Sequence, residues 1–377
     1  MGQLISQPFP PPPRFTEKDL ADQTGKVFIV TGSTSGVGKA LSGILYGANA
    51  KVYMAARSRE KATAAVSELK TAYPTSTGEL IYLHLDLNDL STIRRSAEEF
   101  IAKENKLHVL FNNAGVMHPP KGAKTAQGYE LQLGVNAIAP FLFTKLLTPV
   151  LLSTAKNSAP GHVRVIWVSS CFAGYFSPKG GVDVNNLDYR VEKHPWVQYA
   201  ISKAANTLYS AEFAQRYGRD GIISVSLDPG NLKTELRRNA GLLFRLSLKL
   251  IEHPPIFGAY TELFAGFSPD IGLERNSVWI IYNHTDPLRL FDHVVKLAIV
   301  LEWLPIFNPR GVKDIFYWIS HVIVAINLIF YPVAAFMLNP ACRPFEKFWN
   351  PFVPGTCYNP YSTSYGDCKF LPRRSLV

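Results

Sequence analysis

KVFIVTGSTSGVGKAL, residues Lys26 to Leu41, passes from strand chemistry to helix chemistry through glycine. Val27 to Val30 is a short apolar run rich in β-branched residues. Thr31-Gly32 interrupts it, and Gly36 and Gly38 precede an apolar stretch with helical spacing. The order reads strand, glycine turn, helix. Gly32 permits the tight turn, Gly36 lets backbone approach a pyrophosphate, and Gly38 lets helix and strand pack closely. The helix N-terminus then offers free N–H groups and a positive dipole end to phosphate. The spacing is Gly-x-x-x-Gly-x-Gly, and an ordinary βα loop can carry similar glycines, so the rest of the chain must discriminate.

Strand and helix patterns alternate downstream. Ala50 to Ala55 is the second strand, ending at Arg57-Ser58. In a dinucleotide-binding sheet this point faces the adenosine ribose, where an acid favours the 2′-hydroxyl and a cation favours a 2′-phosphate. Arg57, with the Ser58 hydroxyl, predicts NADP(H) over NAD(H); a charge-assisted bond there is worth about 1.5–3 kcal/mol. The competing reading makes Arg57 a solvated loop charge. Glu60 to Thr71 is a helix with alanines inward, Leu80 to Leu85 the third strand, followed by Asp86-Leu87, and Leu90 to Ala102 a helix. His108 to Phe111 is the fourth strand, followed by Asn112-Asn113-Ala114-Gly115. This alternation predicts an α/β fold, a doubly wound parallel sheet of Rossmann-like type. Ligands bind such sheets beyond the carboxyl ends of strands, where each of these motifs falls.

With Thr31-Gly32-x-x-x-Gly36-x-Gly38, Asp86-Leu87 and Asn112-Asn113-Ala114-Gly115 in place, the sequence resembles the short-chain dehydrogenase/reductase family from about Lys26 to Tyr282. It looks most like the retinol-dehydrogenase-like and fungal members. Gly128-Tyr129-Glu130, Leu133-Gly134-Val135-Asn136, a long insertion before the tyrosine described next and the Phe15-Thr16-Glu17-Lys18 arm carry that likeness.

Thr125 to Ser153 reads as a long apolar helical stretch holding Asn136, with Pro140 and Pro149 implying a bend or break. Asn136 needs partners, and backbone carbonyls in a helix kink would serve. Val163 to Val168 is the fifth strand, with Ser169-Ser170 at its end, where serine also commonly caps a turn. Cys171 to Trp196 reads as a loop long enough to cover the site. Tyr199 to Lys203 is YAISK. Residues four apart share a helix face, so the Lys203 ammonium can reach the Tyr199 phenol or a bound ribose. A nearby cation favours phenolate and lowers a pKa otherwise near 10, as a general acid/base near pH 7 requires. The bland reading is an exposed tyrosine and a solvated lysine.

The resemblance implies that Ser170, Tyr199 and Lys203 are the catalytic triad and Asn136 completes a tetrad, holding a water beside the lysine. The 28 residues between Ser170 and Tyr199 exceed the family's common spacing, as an insertion in this branch. The implied cofactor-binding set is Gly32, Ser33, Ser35, Gly36, Val37, Gly38, Arg57, Ser58, Asp86, Leu87, Asn113, Ala114, Gly115, Tyr199, Lys203, Pro229, Gly230, Leu232 and Thr234. The last four lie in Asp228-Pro229-Gly230-Asn231-Leu232-Lys233-Thr234, after the sixth strand at Ile222 to Leu227. Gly241 to Ile251 would lie over the site as a lid, making the substrate apolar and bulky, or else pack on its own domain or a dimer partner. Ser277 to Tyr282 is the expected last core strand.

The chain has 377 residues, 47% of them hydrophobic and 18% charged, with a net charge of +10. No basic block is long enough to favour nucleic acid. Four cysteines lack metal-ligand spacing and fit a reducing, cytoplasmic compartment; no metal is expected. Residues 1–25 read as a proline-rich extended arm rather than a secretory signal. The opening MGQLIS fits a myristoylation pattern that chance also produces. Residues 26–290 read as the catalytic domain and 291–377 as a hydrophobic extension. In the extension, Ile315 to Leu338 lacks Asp, Glu, Lys and Arg. As a helix it would span about 36 Å, enough for a bilayer core; packing on the domain or a partner subunit is the alternative. The expected activity is hydride transfer between NADP(H) and an alcohol or carbonyl carbon of a lipid-like, steroid-like or secondary-metabolite substrate. The rivals are a catalytically silent NADP(H) sensor or scaffold and a membrane-anchored interaction protein.

Overall fold

Seven strands form one parallel sheet in the order β3-β2-β1-β4-β5-β6-β7. They are β1 (Val27–Thr31), β2 (Lys51–Ala56), β3 (Glu79–His84), β4 (Val109–Asn112), β5 (Val163–Val168), β6 (Ile222–Asp228) and β7 (Trp279–Ile281). The structure is a computed structural model that describes residues 10, 12–237, 252–277, 279–281, 342–343 and 356–357. The chain divides into two compact units, Met1–Thr285 and Asp286–Val377. In the second, Cys342–Arg343 pairs antiparallel with Thr356–Cys357. The expected lid at Gly241 to Ile251, the apolar segment Ile315 to Leu338 and the opening MGQLIS lie outside the described residues.

Helices cover both faces, which is why the strands read as continuous apolar runs rather than alternating ones. On β1, Phe28 and Val30 join one core with α1 (Gly36–Gly47), α2 (Arg59–Ala72) and α7 (Pro255–Phe267). Val27 and Ile29 join the other, with α3 (Leu90–Lys103), α4 (Ala139–Lys156) and Phe213 of α6 (Pro195–Tyr217). Strand order reverses between β1 and β4, which opens a crevice at their carboxyl ends.

The structure departs from the sequence reading in two places. The stretch read as helix from Thr125 becomes helical at Leu131, because positive φ at Gly128 and the antiparallel bridge between Lys124 and Glu130 hold the preceding chain in a turn. A π-helical segment, Gly134–Ile138, then leads into α4. Pro140 directly follows the π-helical turns and so lies within a continuous helical run, where its missing N–H leaves a carbonyl of the preceding turn without its usual partner, and Pro149 lies inside α4. The run Leu131–Lys156 is long and apolar enough to cross a membrane, yet most of it is buried inside the fold as a core helix. The loop read at Cys171 to Trp196 contains a short helix, α5 (Phe172–Phe176), and a 3-10 turn at Val184–Asn186. Over the described part of the arm, Phe15 and Leu20 pack on the core, with Phe15 edge-on to Phe264 at 6.4 Å.

Candidate active site

The turn between β1 and α1 is shaped by contacts no side chain could share. Gly32 has φ +68°, and a Cβ there would lie 2.9 Å from the Ala114 Cα. A Cβ on Gly38 would lie 2.5 Å from Asn113 Nδ2 and 2.6 Å from the Gly32 carbonyl oxygen. Thr31 ties this turn to the end of β4: its Oγ1 donates to the Phe111 carbonyl and accepts from the Asn113 and Ala114 N–H groups. Asn113 Nδ2 returns a bond to the Thr31 carbonyl at 2.7 Å. Ser35, at the N-cap of α1, makes no side-chain cap, so the first N–H groups of the helix keep their capacity for an anion.

A groove of about 1050 Å³ runs from this turn across the carboxyl ends of the strands. It is lined by Gly32, Ser35, Gly36, Val37, Gly38, Arg57, Ser58, Asp86, Leu87, Asn113, Ala114, Gly115, Tyr199, Lys203, Pro229, Gly230, Leu232 and Thr234. Of the predicted cofactor set, only Ser33 is left out: its hydroxyl is fully buried beneath the turn and has no partner among the described residues. Sequence reading missed several polar side chains of the groove, among them Thr34, Lys61, Glu68, Asn88, Lys124 and Glu235. Lys61, in the first turn of α2, lines it beside Arg57, and Asn88 lines it beside Asp86. A cation three residues after a serine N-cap was the available signal for Lys61, since the first helical turn faces back over the strand end. Ser58 is that N-cap, accepting from the Lys61 N–H. The uncapped helix N-terminus, the glycine cradle and the Arg57–Lys61 pair fit a phosphorylated dinucleotide.

At the other end of the groove Tyr199 and Lys203 line it together with Ser169, Asn136 stands beside the Lys203 ammonium across Gly115, and Ser170 is not among the lining residues. Asn136 lies in the π-helical segment; such segments often mark functional sites. Its Oδ1 accepts from the Val116 N–H at 2.7 Å, and its Nδ2 donates to the Val116 carbonyl at 2.9 Å and to Ser202 Oγ at 3.0 Å. Tyr199 and Lys203 are both buried on α6. Lys203 Nζ donates to the Val168 carbonyl at 2.8 Å and stands 5.9 Å from the centre of the Tyr199 ring. Burial brings the Lys203 pKa down to about 8, while Glu262 and Asp228 pull towards the charged form.

The two serines after β5 have different partners. Ser169 Oγ donates to the Lys203 carbonyl at 2.7 Å and accepts from Thr207 Oγ1 at 3.1 Å, so it ties the strand end to α6. Ser170 Oγ accepts a long bond from the Phe172 N–H at 3.3 Å. Next to it, burial and the nearby Asp228 carboxylate push the Cys171 thiol up, which keeps it from acting as a thiolate. An aromatic wall stands beside Tyr199. Phe172 stacks on Trp196 at 5.0 Å and meets Tyr199 edge-on at 6.0 Å, and the His118 ring lies 3.9 Å from Trp196. Among the described residues no cluster of His, Cys, Asp and Glu could hold a metal ion.

Comparison with known proteins places this geometry. A family model described as short chain dehydrogenase matches residues 26–182. A short-chain dehydrogenase/reductase of Phomopsis amygdali is 55% identical over 280 residues, covering 73% of this chain and 84% of the relative. Short-chain dehydrogenase/reductase pkfC of Emericella nidulans is 51% identical over 273 residues, 72% of this chain and 87% of its own length. Among solved structures, the RhlG/NADP active-site complex of Pseudomonas aeruginosa shares the fold, with a TM-score of 0.53 and 23% identity over 68% of this chain and 94% of RhlG.

Proposed function

The chain belongs to the short-chain dehydrogenase/reductase family, and we propose that it transfers a hydride between NADP(H) and the alcohol or carbonyl carbon of an apolar substrate. The observation that carries this reading is one groove with Tyr199 and Lys203 at one end, Asn136 beside that lysine across Gly115, and Arg57 and Lys61 at the other end. NADP(H), when bound, supplies or receives the hydride. Tyr199 gives a proton to the substrate oxygen in reduction and takes it in oxidation. Ser170, whose hydroxyl meets the neighbouring Cys171 thiol, would turn to hold that oxygen. The Lys203 ammonium favours the phenolate of Tyr199 by its charge, and Asn136 fixes the Val116 backbone and α6 around it.

Two cations and the N-terminus of α2 at the adenosine end support NADP(H) over NAD(H). The RhlG complex with NADP has the same fold and is compatible with this choice. Support for an apolar substrate comes from the aromatic wall and from the apolar residues Tyr175, Phe176, Val184 and Leu187, which the insertion before α6 leaves exposed.

The test is consumption of NADPH and of NADH with a panel of apolar ketones and aldehydes, in wild type, Tyr199→Phe and Arg57→Asp. We expect turnover to vanish in Tyr199→Phe. In Arg57→Asp the preference should move towards NADH by roughly ten- to a hundredfold, the value of one charge-assisted hydrogen bond. Tight NADPH binding with no turnover of any carbonyl would sink the enzymatic reading in favour of a sensor.

A further inference from the structure

Glu262 is the one charged residue of α7, and the helix buries it completely. Neither carboxylate oxygen has a hydrogen-bond partner among the described residues. Its direction follows from its neighbours four residues away on the same helix face. A Cβ on Gly258 would meet Val37, Pro229 and Leu232, which line the groove, and a Cβ on Gly266 would meet the ring of Phe111 on β4. Glu262 therefore points into the sheet beneath the carboxyl ends of the strands. Nothing in the family reading above uses it, and an unpaired carboxylate in such a place costs several kcal/mol.

The charged group within its field is Lys203, on α6 across the sheet. Between them stands Val168: its side chain belongs to the α7-side core, while its carbonyl takes the Lys203 ammonium. We propose that Glu262 is a positioning residue for Lys203, a buried counter-charge on the opposite face of the sheet that keeps the ammonium charged at the Val168 carbonyl. Burial raises the Glu262 pKa and Lys203 draws it back, while burial lowers the Lys203 pKa and Glu262 draws it back, so each favours the charged form of the other. A group that is neutral at low pH and anionic at high pH extends the alkaline range over which Lys203 stays cationic.

The other ionisable groups around this pair have separate engagements. Asp228 on β6 also favours the charged lysine, but it accepts from the Gly230 N–H and faces Cys171. Arg164 on β5 spends its guanidinium on the carbonyls of Gly161, Ala265 and Ser268, the last two near the C-terminal end of α7. Tyr260, on α7 itself, turns to Glu17 of the arm. From α1 and β4 the facing side chains are Val37 and Phe111, which do not titrate.

The proposal rests on the role given to Lys203 above, and its test separates the two. The first arm is a double-mutant cycle of Glu262→Gln and Lys203→Met in the cofactor-free protein, followed by denaturant unfolding at pH 6 and pH 8.5. We expect little coupling at pH 6 and about a tenfold coupling in the folding equilibrium at pH 8.5, equivalent to about one pKa unit. The second arm is the pH profile of kcat/KM. Glu262→Gln should follow wild type near pH 6, with its alkaline limb displaced about one unit lower, and Glu262→Asp should recover part of that displacement. A folded Glu262→Gln with an unmoved alkaline limb, or a cycle without coupling at either pH, would overturn the proposal. Coupling at pH 8.5 in a protein that turns over no carbonyl would support the pair and refute the enzymatic reading.

Discussion

Asn136→Ala removes three hydrogen bonds at once, those to the Val116 N–H, the Val116 carbonyl and Ser202 Oγ. Each is worth about 0.5–1.5 kcal/mol net, and the two Val116 groups are then left short of partners, so the loss should come to about 2–4 kcal/mol. Val116 is only half-buried, so water recovers part of the bonding and keeps the loss out of the higher range of fully orphaned groups. In a domain of this size that corresponds to a melting point lower by roughly 5–12 °C, read by circular dichroism or differential scanning fluorimetry. Activity should fall further than stability alone implies. A Cβ on Gly115 would lie 3.3 Å from both Asn136 Oδ1 and Lys203 Nζ, so the amide and the ammonium flank the same backbone. Loosening that backbone shifts the lysine, and a displacement of about 1 Å can cost on the order of a hundredfold in rate. The fall should appear in kcat more than in KM. Asn136→Asp is the sharper control: its carboxylate can still accept from the Val116 N–H but cannot donate to the Val116 carbonyl. An Asn136→Ala protein that melts within about 2 °C of wild type and keeps its kcat would refute the reasoning.

Ser169→Ala and Ser170→Ala should separate, the first costing about 1–2 kcal/mol of stability with most turnover kept, because its two bonds are internal. Ser170→Ala should instead leave the melting point nearly unchanged and remove most of kcat, and similar kinetics in the two variants would contradict the assignment. Gly38→Ala should destabilise by about 2–4 kcal/mol, since the new Cβ meets Asn113 Nδ2 and the backbone oxygen of Gly32, and an unchanged denaturation midpoint would argue against so tight a turn. The buried His108 accepts from the Val27 N–H, and burial lowers its pKa from 6.5 to about 4. Its folded form binds fewer protons than its unfolded form between those values, so its contribution is present above pH 6.5 and is lost as pH falls towards 4. The loss should reach about 2–3 kcal/mol in unfolding experiments, and the slope should persist in wild type but flatten in His108→Gln.

Much of the molecule is local and therefore legible. The run Val27 to Val30, the glycines after it and the four-residue spacing of Tyr199 and Lys203 are properties of adjacent residues, and the sequence carries them directly. The repeated strand–helix alternation then leaves one sensible sheet, because right-handed crossovers place each motif at a carboxyl end. That is why the cofactor groove holds nearly all the residues expected in it.

What only the folded chain decided depends on residues far apart in sequence. A serine hydroxyl's partners cannot be read locally, and only the packing of α6 on β5 shows Ser169 committed to the Lys203 carbonyl while Ser170 meets only its neighbours Cys171 and Phe172. Asn136 needed its distant partners, Val116 and Ser202, to be more than a polar residue in an apolar run. Ser33 sits within the glycine motif yet turns inward, because the tight turn at Gly32 sets the direction of the next side chain. Glu262 is the one charge of an otherwise uncharged helix. Its burial opposite Lys203 arises because α7 packs on one face of the sheet and α6 on the other, with Val168 between them. The sequence determined the elements and the local chemistry at their ends; the tertiary structure decided which charges share a low-dielectric interior, where a lone carboxyl and an ammonium act on one another.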